Sequence, residues 1–128
     1  MSEKNKKTVR KVTQALHEGD LEAALEFCAD DVQWTHVGQG TIKGKDNVRR
    51  AMDQESSENV EPPKFSVAEP IIGENDHVVI RGDAVIKKNG RTGDYSFCHI
   101  YRFVDNKIAE INAFLIETQA NRQRIAAS

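Results

Sequence analysis

The feature that most constrains this chain is a change of hydrophobic period at Pro62-Pro63. Ahead of the prolines, apolar residues recur mainly at helical spacing. Val9, Val12 and Leu16 share one face over residues 5–17. Gly19 supplies a left-handed C-terminal cap. Asp20 is placed to cap a second, short helix, with Leu21, Ala24, Leu25 and Cys28 on one face. Asp30-Asp31 is expected to break it, and Val32 to Val37 reads as a first strand. Gly38, Gly40 and Gly44 mark a turn-rich connection without a dinucleotide fingerprint. A third helix follows, with Asp46 at its positive end and Val48, Ala51 and Met52 as an apolar stripe. Proline disfavours further helix, and from there the period is two. Phe65 to Ile72 is a strand whose Pro70 predicts an edge or a bulge. His77 to Lys87 and Thr92 to Val104 are joined by Asn89-Gly90, a strong hairpin signal. Asp105-Asn106 turns into a last strand from Lys107 to about Thr118, and the polar tail beyond is expected to fray. Helices first and a meander after predict an α+β fold.

Composition narrows the function. The length of 128 residues predicts a single domain, 1–128. With 18 basic and 20 acidic side chains the net charge is −2, which argues against a nucleic-acid partner. Cys28 and Cys98 stand in no metal or redox spacing, so a reducing, cytoplasmic setting is expected. Met1 to Thr13 lacks the apolar stretch of a signal peptide. The longest apolar run, Ala113 to Ile116, is four residues, too short to span a membrane. Lys4, Lys6, Lys7, Arg10 and Lys11 read as a solvated helix face. His17, His36, His77 and His99 show no metal-ligand spacing, so neither a metal nor a cofactor is expected.

Strand alternation separates two sheet faces. Tyr95, Phe97, His99, Tyr101 and Phe103 share one, and the helices are the available cover. Ala113 and Leu115 lie on one side of the last strand, Phe114 and Ile116 on the other. In the His77–Lys87 strand, patterning buries Val78, Ile80, Gly82, Ala84 and Ile86 and exposes Arg81 and Asp83, on the face that also carries Val79 and Val85. Apolar residues on both faces predict a homodimer through the outer one, with Cys98, Ile100, Arg102, Phe114 and Ile116 at the interface.

The order of elements resembles the nuclear transport factor 2-like superfamily, and within it the ketosteroid isomerase and SnoaL-like branches. The resemblance covers about residues 8–118. It rests on Gly19-Asp20-Leu21, Ala29-Asp30-Asp31-Val32, Gly44-Lys45-Asp46, and His99-Ile100-Tyr101-Arg102-Phe103 followed by Asp105-Asn106-Lys107-Ile108. It implies a curved, mixed or antiparallel sheet wrapped around helices as a cone with a pocket. It also places His36 where the isomerases hold their basic aspartate, and His99 where they hold an oxyanion donor. Val12 replaces their oxyanion tyrosine. Limonene-epoxide hydrolases supply an Arg-x-Asp pair resembling Arg81-Gly82-Asp83, but Ala113 stands where their second catalytic aspartate belongs. That likeness turns Arg81 and Asp83 toward the pocket, against the patterning.

The resulting expectation is cofactor-free acid–base chemistry on a small, largely apolar molecule, of the isomerase, cyclase or hydrolase type. His36 is the expected base, His99 the acid or hydrogen-bond donor, and Asp83 an orienting group. Trp34, Arg81, Val85, Tyr95, Phe97, Tyr101, Ala113 and Leu115 are the expected lining. The alternative is a ligand-binding or dimerisation module of the same fold without catalysis.

Overall fold

A computed structural model describes residues 2–58, 63–88 and 90–118. Helix α1 (Ser2–His17) turns Val9, Val12 and Ala15 into the core and leaves Lys4, Lys7, Arg10 and Lys11 exposed. Gly19 ends the turn at φ +79°. The Asp20 carboxylate accepts the Ala23 N–H at 3.1 Å, capping α2 (Leu21–Leu25). Strand β1 (Cys28–His36) then begins earlier than the sequence predicts. Asp30 and Asp31 lie inside it, exposed, and do not break a helix. Cys28 opens this strand instead of completing the helical stripe, and its thiol is still buried against the Ala24 carbonyl.

The glycine-rich stretch holds a short strand that patterning did not show. Gly38 and Gly40 adopt positive φ, the chain reverses, and β2 (Gly40–Lys43) pairs antiparallel with β1. Helix α3 (Lys45–Glu58) follows. The other strands are β3 (Lys64–Glu74), β4 (His77–Lys88), β5 (Arg91–Val104) and β6 (Lys107–Glu117). Pro62, Asn89 and the 119–128 tail lie outside the described residues. Lys88 nonetheless pairs with Arg91, the register of a two-residue hairpin.

The six strands form one open sheet in the order β2-β1-β6-β5-β4-β3. It is mixed, as expected: β3 to β6 form the antiparallel meander, and β1 lies parallel beside β6. A hairpin cannot join parallel strands, and here almost the whole fold separates β1 from β6. β3 is an edge strand with a register break between Ala68 and Ile72, as Pro70 predicts. The helices cover one face, and Val9, Val12, Val78, Ile80, Tyr101 and Ile111 pack between them and the sheet.

On β4 the patterning prevails over the resemblance. Arg81 pairs with Cys98, Asp83 with Ser96 and Val85 with Asp94, all on the outer face. Arg81, Asp83 and Val85 are exposed there, so none of them lines the helix-covered side. The inward positions of β4 are taken by Val78, Ile80 and Ala84, and by Gly82, where the edge strand presses closest. A Cβ at Gly82 would stand 2.0 Å from the Ser66 carbonyl oxygen and 3.1 Å from the Phe97 ring. Backbone must move to admit it. Gly82→Ala is expected to lose about 2 kcal/mol or more of stability in urea unfolding; an unchanged midpoint would show that β3 yields freely.

Candidate functional site

Cross-strand register gathers the predicted side chains into rows on the helix-covered face. His36 of β1 pairs with Ala113 of β6, and Ala113 pairs with His99 of β5. Two strand spacings separate the histidine backbones by about 10 Å. Only the Ala113 methyl group stands between them on the sheet. The next row holds Trp34, Ile111 and Tyr101, and the row on the other side holds Leu115 and Phe97.

The two histidines meet different surroundings. His36 is half-buried and stacks parallel to Trp34 at 6.2 Å between ring centres. His99 is only 9% exposed. It is enclosed by the rings of Phe97 at 5.0 Å, Tyr101 at 6.1 Å and Phe65 at 6.3 Å. Burial first, and His36 second, lower its pKa from the ordinary 6.5 to about 4. His99 is therefore a neutral imidazole at pH 7.

The Tyr101 hydroxyl lies 3.5 Å from His99 Nδ1, a long contact, and Thr13 gives its own hydroxyl hydrogen to the Val9 carbonyl at 2.9 Å. A neutral imidazole carries one N–H and one lone pair, so it can both donate and accept. Burial also raises the pKa of Tyr101 and pushes the Cys28 thiol up to about 11, so neither ionises at neutral pH.

Trp34, Phe97, Tyr101 and Ala113 lie buried on this face, and Tyr95 packs half-buried at its margin. Leu115 shares the face but is 47% exposed, beyond the helical cover. The indole Nε1 of Trp34 is buried without a hydrogen-bond partner, a donor with capacity for an acceptor oxygen. Thr13 and Phe65 are not singled out by sequence. Thr13 borders the α1 stripe at four residues from Val9, and Phe65 keeps period two with Val67; those are the only signals available. Among the described residues, no cluster of three or more His, Cys, Asp or Glu could hold a metal ion, and no helix is long and apolar enough to cross a membrane. On the outer face, Cys98, Ile100, Arg102 and Phe114 are half-buried and Ile116 is 59% exposed.

The depressed pKa of His99 makes stability depend on pH. Between about 4 and 6.5 the unfolded chain binds a proton that the folded chain refuses. Stability present above pH 6.5 is therefore lost as pH falls toward 4, by about 3 kcal/mol in all. His99→Gln should flatten this part of the curve in denaturant titrations run from pH 7 to 4; an unaltered slope would assign the acid sensitivity elsewhere.

Comparisons with known proteins agree on the fold. The profile of the SnoaL-like domain family matches residues 9–111. The chain is similar to an NTF2-like protein of unknown function from Burkholderia pseudomallei, with 26% identity, 98% of each chain covered and a TM-score of 0.80. It is also similar to TerC, crystallised with polyporic acid, at 20% identity, with 96% of this chain and 98% of that one covered and a TM-score of 0.76. A protein assigned provisionally as a polyketide cyclase, from Xanthomonas campestris, shares 14% identity over 88% of this chain and 90% of its own, with a TM-score of 0.79. Curated proteins yield no match.

Proposed function

Because the chain belongs to the SnoaL-like domain family, we propose that it binds a small, largely apolar molecule on the helix-covered face and moves a proton on it without a cofactor. The carrying observation is the row His36–Ala113–His99. Two imidazoles share one face, and the small residue between them leaves room for a substrate. Burial divides the work. A His99 imidazolium would be held in an apolar ring cage, which is costly. A His36 imidazolium, half-exposed and stacked on Trp34, reaches water. His36 is therefore the base that takes the proton, and neutral His99 holds a substrate oxygen by a hydrogen bond. Trp34 Nε1–H is the matching donor for a carbonyl or phenolic oxygen. Asp83 has no part in this scheme, being on the outer face. Relatives crystallised with polyporic acid or assigned as a polyketide cyclase make oxygenated aromatic molecules the first substrates to try.

Oxygenated aromatic molecules that are uncharged at pH 7, such as naphthols and tetralones, should raise the melting temperature of the wild type. For any of them that turns over, His36→Ala should lower kcat by about a hundredfold or more, with binding little changed. Unchanged kcat in both His36→Ala and His99→Ala would overturn the scheme. A second reading, binding without catalysis, draws on Val12 and Ala113, two inward positions without a reactive group. It predicts equal stabilisation of wild type and His36→Ala by the same ligands and no turnover.

We also propose that a second copy of the chain covers the outer sheet face. Ile72, Val85 and Ile116 are exposed there, each more than 40%. Arg81 and Asp83 stand two residues apart on that face with opposite charges, a pair that a two-fold axis would make self-complementary. Light scattering at micromolar concentration should give twice 14.4 kDa, and Ile116→Lys should return it to the single-chain mass. A wild-type particle of one chain's mass would refute the dimer.

A further inference from the structure

A cleft of about 310 Å³ opens between α1 and β3, lined by Arg10, Thr13, Gln14, His17, Phe65, Val67 and Ile71. None of these residues belongs to the His36–Ala113–His99 row. One of them, however, touches that row from the cleft side. The Phe65 ring meets His99 edge to face and lies 5.3 Å from the Phe97 ring. Phe65 is thus a one-ring partition between an open cleft and a buried imidazole. It is only half-buried and sits on the edge strand, ahead of the register break at Ala68. An edge residue has a free side toward which its ring can turn.

The chemistry of the walls selects the occupant. The β3 wall is apolar: Phe65, Val67 and Ile71. Arg10 is the one permanent charge in the lining, and Glu69 already holds it through two oxygens, at 2.7 and 3.3 Å. It offers little to a ligand anion. His17 accepts the Phe65 backbone N–H at Nδ1, 3.1 Å away, so its neutral ring carries a hydrogen on Nε2. The α1 wall therefore offers one directed donor without a net charge. Cavities of this volume fall in the range that takes small ligands.

We propose that this cleft is the outer compartment of the ligand site, that it takes an uncharged, flat, largely apolar molecule bearing an acceptor oxygen, and that Phe65 closes the way from it to His99. The proposal rests on the inner-face row being the site described above. Its test does not depend on turnover, so the two fail separately.

The first probe is a pair of naphthalenes of one shape. 2-Acetonaphthone is uncharged with one carbonyl oxygen; 2-naphthoate carries a charge. In amide NMR the ketone should shift Thr13, Gln14 and Val67, and the carboxylate should bind about tenfold more weakly. Equal or tighter binding of the carboxylate, or shifts confined to residues away from the cleft, would overturn the ligand class. The second probe is diethyl pyrocarbonate at pH 7, which acylates unprotonated imidazole, with the sites resolved by peptide mass spectrometry. In the wild type, His99 should react far more slowly than exposed His77. Phe65→Ala should speed His99 by about tenfold or more with His77 unchanged, and 2-acetonaphthone should slow it again. Phe65→Leu, which keeps an apolar side chain, should lie between, so that gross unfolding is told apart by the His77 rate. The partition is refuted if His99 stays within twofold of wild type in both variants, or if Leu115→Ala, at the other end of the row, is what exposes it.

Discussion

The rings of Phe65, Phe97 and Tyr101 close around His99 and leave it 9% exposed. Most of the site's chemistry follows from that cover. An imidazole cut off from water resists protonation, so His99 stays neutral well below its ordinary range. A buried phenol resists ionisation, as Tyr101 does beside it. Both then act as neutral hydrogen-bonding groups on one face of the sheet.

The same sheet has a second face on which none of the described helices lies, and β4 shows why the two are not interchangeable. Strand alternation admits only one choice for each residue. With Val78, Ile80 and Ala84 turned to the helices, Arg81 and Asp83 must face out. A family likeness in three consecutive residues cannot override that parity. Arg81 and Asp83 join Ile72, Val85 and Ile116 on a surface whose chemistry suits another protein surface more than a substrate.

The fold is shared with a protein crystallised with polyporic acid and with one assigned provisionally as a polyketide cyclase. The proposed chemistry of this chain rests on a few positions. Ala113 offers a methyl group between two histidines, and Val12 offers an apolar side chain over the sheet. Imidazole is the one side chain of the row able to move a proton near neutral pH. Its two copies differ in exposure, and the proposed scheme gives them different tasks on that ground.

Much of the fold was legible in the residues themselves. Helical spacing to Met52, alternation after Phe65, and caps at Gly19 and Asp20 follow from short-range geometry that a single segment carries. So does the inward set of β5, since parity needs only one strand. The sequence also singled out His36, His99, Trp34 and Tyr101. It did not show that β1 lies parallel beside β6, because no local signal records which distant edge a strand joins. That pairing alone places His36 opposite Ala113. Nor did it show Phe65 at His99, since a ring on an edge strand reaches it there from a distant part of the chain. The sequence by itself determined which elements form and which side chains share a face, because those depend on backbone period. Tertiary structure decided the protonation of His99, because it depends on which groups displace water around it.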